Sequence, residues 1–237
     1  VECREVFGWT LDEWLYFGGY PGAAAFKHDE AEWKRYINDS LVETALARDV
    51  LQLQPVRKPA LLRNLFGLAM MHPAEILSYN KMLGELREAG NTTTLAHYLH
   101  LLATAYLISG LELFSRRASR KRGSSPKLVV WNNALISATS TRLFEQTRQD
   151  FGRWGRLVEN ACLAHLLMTL PHAAVVTYWR ENGGEVDVVV ESGGDLWAME
   201  IKSGRGARIS GLARFRRHYP SAKAVLIGSE GIPVAEF

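Results

Sequence analysis

The sequence has little cysteine and no long apolar run. Its 237 residues include two cysteines, Cys3 and Cys162, which are too few for a disulfide framework or a four-cysteine zinc site. The longest apolar stretches, such as residues 99–113, are interrupted by polar side chains and fall short of the roughly 18–20 apolar residues that cross a bilayer. We therefore expect a cytoplasmic protein with no membrane partner.

A phosphate-binding loop is also missing. The pattern G-x-x-x-x-G-K-[ST], whose backbone amides and lysine hold nucleotide phosphates, occurs nowhere in the chain. We expect this chain to bind no ATP on its own. It begins at Val1, with neither an initiator methionine nor the charged and apolar segments of a signal peptide, which predicts a fragment of a longer protein.

Acidic residues are absent from two long segments, although the net charge of the whole chain is only +3. Residues 113–144 and residues 201–229 each carry seven basic residues and no Asp or Glu. The first set is Arg116, Arg117, Arg120, Lys121, Arg122, Lys127 and Arg142, and the second is Lys202, Arg205, Arg208, Arg214, Arg216, Arg217 and Lys223. One basic run is as often a solvated face as a binding site, but two runs in one small protein favour a polyanionic partner such as DNA.

Hydrophobic spacing predicts an α/β plus all-α fold class in three domains. The first domain has two helical patterns, of which the second is capped by Asp29. It ends before a linker bracketed by Pro55 and Pro59. The two helical patterns are residues 10–17 and 29–47, and the three predicted domains are residues 1–53, 54–150 and 151–237.

The middle domain has the element order of a winged helix. Three helical patterns precede two strand-like runs, which flank a basic loop at residues 115–126. The helical patterns are residues 60–71, 74–88 and 92–106, with Thr92 as a cap, and the strand-like runs are residues 111–114 and 128–131. We predict a DNA-binding domain whose wing tip contacts phosphates through Arg116, Arg117, Arg120, Lys121 and Arg122.

The last domain begins near Gly152 with an amphipathic helix, residues 154–170. Three strand-like runs separated by Gly-Gly turns follow, then a second helix and a final strand. These runs are residues 173–179, 185–191, 196–201, 211–218 and 222–227. The predicted order is αβββαβ.

Charged residues recur at the ends of two of these strands. Asp187 lies on the second strand, and Glu200 and Lys202 share one face at the end of the third. Glu159, on the preceding helix, supplies a further carboxylate. Clustered carboxylates repel one another unless a hard cation such as Mg²⁺ or Mn²⁺ lies between their oxygens, and a lysine beside that ion can orient a water on a scissile phosphate.

Asp187 followed by Glu200-Ile201-Lys202 in an αβββαβ core resembles the PD-(D/E)XK nuclease superfamily, over roughly residues 152–228. The resemblance implies a restriction-endonuclease-like domain in which Asp187 and Glu200 are metal ligands. It also implies that Lys202 positions the attacking water and that Glu159 is an auxiliary ligand. Val186 stands where the superfamily pattern has proline.

A broader resemblance covers nearly the whole chain. Its motifs include FGGYP at 17–21, GRLVEN at 155–160, EVD at 185–187 and MEIKSG at 199–204. In this order they look like the C-terminal part of prokaryotic AAA-type ATPases, the "ATP-binding proteins". The resemblance implies an N-terminal ATPase domain that holds ATP, with the first residues of this chain as the remnant of its helical lid.

Two functions from different classes follow. One is a DNA-binding module with Mg²⁺-dependent nuclease activity at Asp187, Glu200, Lys202 and Glu159. The other is a non-catalytic regulatory module, in which the same residues form a structural ion-pair cluster and the decayed nuclease fold binds nucleic acid or a protein. A divalent ion between Asp187 and Glu200 would support the first function, and a neighbouring arginine filling the site would support the second.

Overall fold

The computed structural model describes residues 2–50, 56–86, 91–116, 123–204 and 210–237. It is built on one six-stranded sheet in the order β2-β1-β3-β4-β5-β6. The strands are β1 (Ile108–Leu113), β2 (Lys127–Val130), β3 (Val175–Glu181), β4 (Gly184–Ser192), β5 (Asp195–Lys202) and β6 (Lys223–Gly228). A fold that mixes helices with a β-sheet is thereby confirmed.

Ten α-helices and several shorter turns surround this sheet in the described part of the chain. The helices are α1 (Glu2–Phe7), α2 (Leu11–Phe17), α3 (Glu30–Arg35), α4 (Pro59–Met71), α5 (Tyr79–Glu85), α6 (Thr92–Thr104), α7 (Asn133–Thr139), α8 (Phe144–Gln149), α9 (Phe151–Thr169) and α10 (Ser210–His218). A 3₁₀ turn spans Pro21–Phe26, and π-helical turns span Tyr36–Val42 and Ala45–Val50. None of the described helices is long and apolar enough to cross a membrane.

Side-chain caps explain where several helices begin. Asp29 accepts hydrogen bonds from the backbone amides of Ala31 and Glu32, as its position in the sequence predicts. Thr10 and Glu13 form a reciprocal capping box at the start of α2. Asn91, and not Thr92, caps α6 through the amide of Thr94.

The predicted hairpin is present, but it is not a free-standing wing. Strand β1 pairs antiparallel with β2 on one side and parallel with β3 on the other, where Glu112 stands opposite Thr177. The hairpin therefore belongs to the sheet that carries the C-terminal strands. The structure shows helices followed by a hairpin in this segment. It does not confirm a separate winged-helix domain.

The helix predicted for residues 74–88 begins later than expected. Residues 74–77 instead run along the outer edge of β2, where the amide of Ala74 donates to Leu128 O and the amide of Leu128 donates to Glu75 O. Ala74 has a positive φ of 57°, which a right-handed helix does not accommodate. Helix α5 starts only after Ser78, whose side chain caps it by accepting a hydrogen bond from the amide of Lys81.

Two hydrophobic clusters cross the predicted domain boundaries. One cluster contains residues from Trp9 to Leu157, and another joins Leu15 and Val129 to α9 and the central strands. A third lies between the opposite face of the sheet and α10 and includes Phe114 and Phe215. The boundaries at residues 53 and 150 stay predictions.

Candidate functional site

The site lies where the ladder between β4 and β5 ends. The last paired residues are Val188 and Met199, so Asp187 and Glu200 are the next positions on the two strands. One oxygen of Asp187 accepts a hydrogen bond from the backbone amide of Ile201 at 2.8 Å. This bond holds the carboxylate across the open end of the ladder.

A β-bulge sets the direction of Asp187. Trp179 of β3 pairs with Val186 whereas Thr177 pairs with Val189, so β4 carries one extra residue between these pairs. Val186 and Val189 consequently pack in the same cluster beneath α10 although they are three residues apart. The bulge breaks the strict alternation of side chains at Asp187.

The structure brings together all four residues that the sequence predicts for the site. Glu159 projects from α9, which packs against β2 and β5. Lys202 Nζ lies 3.0 Å from Glu200 Oε1. Asp187 and Glu200 are 8% and 5% exposed. The catalytic and metal-binding roles of these residues stay predictions.

A fifth residue, Lys127, occupies the centre of the cluster. Its side chain is fully buried, and its Nζ lies 2.6 Å from Glu159 Oε1 and 3.5 Å from Asp187 Oδ1. The same ammonium donates a hydrogen bond to the backbone oxygen of Asp187 at 3.1 Å, and Glu185 Oε1 is 3.9 Å away. Lysines are almost never fully buried unless they are paired.

Sequence reasoning counted Lys127 only as one member of a basic run. The one available signal was that Lys127 directly precedes the apolar run Leu128, Val129 and Val130. A lysine at the first position of a strand buried along its whole length is an unusual placement. This placement indicates a buried ion pair only when the tertiary contacts of Lys127 are known.

The electrostatics of the cluster favour charged lysines. Burial opposes the charged form of Lys127, but Glu159 and Asp187 outweigh it, so the pKa of Lys127 is raised. Burial likewise opposes the charged form of Lys202, and Asp187 and Glu200 raise its pKa. Burial raises the pKa of Glu159, although the Lys127 charge opposes this shift.

A divalent ion does not fit between Glu159 and Asp187 while Lys127 is in place. Two features suit a cation, since the buried oxygens Glu159 Oε1 and Glu200 Oε2 have no hydrogen-bond partner among the described residues. The Lys127 ammonium, however, already lies between the two carboxylates. Within the described ranges, no three His, Cys, Asp or Glu side chains are grouped so as to hold a metal ion.

The two basic segments of the sequence meet on the opposite side of the sheet from α9. Phe114, at the start of the first segment, lies 5.6 Å from Phe215 and 5.1 Å from Tyr219, measured between ring centroids. Both of these partners belong to or follow α10, in the second segment. Segments about a hundred residues apart in sequence are therefore neighbours in space.

Exposed arginines adjoin these aromatic residues along the chain, and we call Arg116, which follows Phe114, and Arg216 and Arg217, which follow Phe215, the basic face. The Arg116 guanidinium lies over the Phe114 ring, and its NH1 is 3.1 Å from Glu191 Oε1. Arg216 and Arg217 are exposed and form no ion pair with a described residue. The other predicted wing-tip residues, Arg117, Arg120, Lys121 and Arg122, lie outside the described residues.

Comparison with protein families gives two matches. A model described as a domain of unknown function, DUF8612, matches residues 8–147. A second domain of unknown function, DUF4143, matches residues 154–233. No curated protein and no solved structure matches the chain.

Proposed function

The chain belongs to the DUF8612 family, and with that as our starting point we propose that it is a nucleic-acid-binding module of a prokaryotic AAA-type ATPase. The match of residues 154–233 to DUF4143, a domain found in AAA-ATPase-associated proteins, supports the ATPase association. In this proposal ATP and its hydrolysis belong to a separate ATPase domain of the same protein. DNA is the ligand of the module described here.

The observation that carries the proposal is the meeting of the two acid-free segments at Phe114 and α10. Arg216 and Arg217 on this face are exposed and unpaired with described residues, so their guanidinium groups are free to contact phosphates. Phosphate contacts release counterions, which gives affinity without sequence specificity. The basic face is suited to a nucleic-acid backbone rather than to base readout.

Salt-dependent DNA binding tests the proposal. We expect duplex DNA to bind the wild-type chain with an affinity that falls with salt. In Arg216→Ala/Arg217→Ala, the slope of log affinity against log salt should flatten by roughly two units, at about 0.9 per phosphate contact. Fluorescence anisotropy of labelled duplex DNA measures this slope.

A matched control uses two other exposed arginines. Arg63 and Arg148 are paired with Glu43 and Asp12, away from the basic face, so Arg63→Ala/Arg148→Ala should leave the slope unchanged. An unchanged slope in the Arg216/Arg217 variant, or an equal loss in the control, would show that the basic face does not bind DNA.

A second candidate function is metal-dependent phosphodiester hydrolysis. It is favoured by the unpartnered, buried Glu200 Oε2 and by Lys202 beside the same carboxylate. Incubation of single-stranded, duplex and branched DNA with Mg²⁺ or Mn²⁺ tests it. Cleavage that disappears in Asp187→Asn would establish this activity. Intact DNA in every reaction would contradict it, and DNA binding alone would then be the proposed function.

A further inference from the structure

We propose that Lys127 is a built-in cation that replaces a divalent metal ion in the carboxylate cluster. In this arrangement the wild-type cluster is closed to metal. Without Lys127 the carboxylates of Glu159 and Asp187, which are not grouped to hold an ion in the wild-type structure, close around one. The inference rests on the contacts of one side chain and does not depend on nucleic-acid binding at the basic face.

The first argument is the set of atoms around the ammonium. Lys127 Nζ is surrounded by Glu159 Oε1 at 2.6 Å, the backbone oxygen of Asp187 at 3.1 Å and Asp187 Oδ1 at 3.5 Å. Of these three oxygens the backbone oxygen accepts a hydrogen bond, and the two carboxylate oxygens are ion-pair contacts. Carboxylate and carbonyl oxygens are also the ligands that hard cations take, so the lysine uses donors that would serve a metal ion.

The second argument is charge. Three buried or nearly buried carboxylates, those of Glu159, Asp187 and Glu200, lie in one cluster with the two ammonium groups of Lys127 and Lys202. Without Lys127 the cluster would keep three carboxylates against the Lys202 ammonium and the partly exposed Arg156 guanidinium, which lies 3.3 Å from Glu159 Oε2. Like charges held in a desolvated site destabilise the fold unless a cation offsets them.

The third argument is that the backbone fixes the position of Lys127. Its residue pairs with Leu111 of β1 on one side and forms a bridge to Ile76 on the other. The side chain thus starts from a point held by hydrogen bonds on both edges of β2. A tethered ammonium needs no free ion in solution, so it competes with a dissolved cation at any concentration of that cation.

The test measures divalent-ion binding by the full chain through its melting temperature. Wild-type protein should show no shift with Mn²⁺ or Mg²⁺. Lys127→Ala should melt at a lower temperature than wild type in EDTA, and Mn²⁺ at a hundredfold excess over its Kd should raise that temperature by about 5 °C or more. Titration calorimetry should find a Mn²⁺ site in this variant.

Two further variants make the result specific. Lys127→Ala/Asp187→Asn should lose the Mn²⁺ response, because it lacks one of the carboxylates. Lys223→Ala, which removes an exposed lysine paired with Asp195, should respond to Mn²⁺ no more than wild type does.

The wild-type protein alone can overturn the inference, even if Lys127→Ala does not fold. A Mn²⁺-dependent rise in the wild-type melting temperature that disappears in Asp187→Asn would show that the cluster takes a metal despite Lys127. Reductive methylation read by mass spectrometry gives a second measurement, in which Lys127 should stay unmodified while Lys223 reacts. Modification of both at equal rates in the folded protein would contradict a buried, paired ammonium.

Discussion

The helices from Trp9 to Leu102 and the strands from Lys127 to Glu200 differ in what they bury. The described buried residues of the helices are uncharged, mostly aliphatic or aromatic side chains, and include the fully buried Trp33 and Leu65. The strands also bury Lys127, Asp187 and Glu200. Apolar burial stabilises a fold without demanding particular partners, whereas each buried charge is costly unless its partner is placed correctly. The charged burial in the sheet therefore depends on specific partners, and the burial in the helices does not.

A buried amide network joins the helical part to the sheet. Asn160 of α9 accepts from the amide of Val130 at 2.9 Å and donates to the carbonyl of Val130 at 2.7 Å. Its Nδ2 also donates to Asn133, which in turn donates to the backbone oxygens of Leu15 and Leu157. Two side chains thus connect α2, α9 and the end of β2.

The largest effect should come from breaking the charged cluster. Lys127→Met leaves Glu159 and Asp187 without their ammonium partner, and loss of one member of a buried ion pair costs about 3–5 kcal/mol of unfolding free energy. Lys127→Met/Glu159→Gln should lose less than the single variant. Urea unfolding at pH 8 measures both values, and equal losses would contradict a coupled pair.

The stability of Lys127→Met should also depend on pH. Burial raises the pKa of Glu159 in the folded protein, so folding favours the protonated carboxyl, and stability falls as the pH rises through this raised pKa. Without Lys127 that loss should grow, making the variant more destabilised at pH 8 than at pH 5. A loss of stability that does not vary with pH would be inconsistent with a Glu159 carboxylate that has lost its buried ammonium partner and keeps only the half-exposed Arg156.

Substitutions in the apolar core should lower the free energy of unfolding by an amount that does not depend on pH. Leu65→Ala removes a fully buried side chain of α4 and should cost about 2–5 kcal/mol, equally at pH 5 and pH 8. Met71→Ala, at an exposed position on the same helix, should change stability by no more than about 0.5 kcal/mol. A pH-dependent loss of stability in Leu65→Ala would contradict the difference between the uncharged helical core and the charged cluster of the sheet.

The amide network should give a smaller effect. Asn160→Ala leaves the amide and carbonyl of Val130 buried without their side-chain partner, which should cost about 2–3 kcal/mol. Asn38→Ala removes a single half-buried bond to Ala138 O and should cost about 0.5–1.5 kcal/mol. Equal losses in urea unfolding would mean that Asn160 does not connect the regions.

The smallest effect concerns reactivity and leaves stability unchanged. Burial raises the pKa of Cys162 to about 12, so roughly one thiol in ten thousand is ionised at pH 8. In a Cys3→Ser background, a thiol reagent should therefore modify the folded chain at least about a hundredfold more slowly than the urea-unfolded chain. Similar rates in both states would show that α9 does not shield the thiol.

Much of the fold was predictable because its signals are local. The helix–strand order of residues 151–237, the Asp29 cap and the strands of the hairpin follow from periodicity, turn residues and capping chemistry. The pairing of β1 with β3 was not predictable, because no local pattern states which strand joins which sheet.

The candidate site was predictable in its carboxylates but not in its centre. Asp187, Glu200 and Lys202 could be identified by spacing along two strands. Lys127 lies 32 residues before Glu159 and 60 before Asp187, and it reaches them only through the sheet order. The bulge at Asp187 also depends on pairing with β3, which single-sequence reasoning does not supply.

The most direct test measures duplex-DNA binding and integrity together, in EDTA and in Mn²⁺ at matched ionic strength. The account predicts that the wild-type chain binds DNA in EDTA through Arg216 and Arg217, that Mn²⁺ makes binding no tighter, and that the DNA stays intact. Binding that requires Mn²⁺, or cleavage that depends on Asp187, would contradict it.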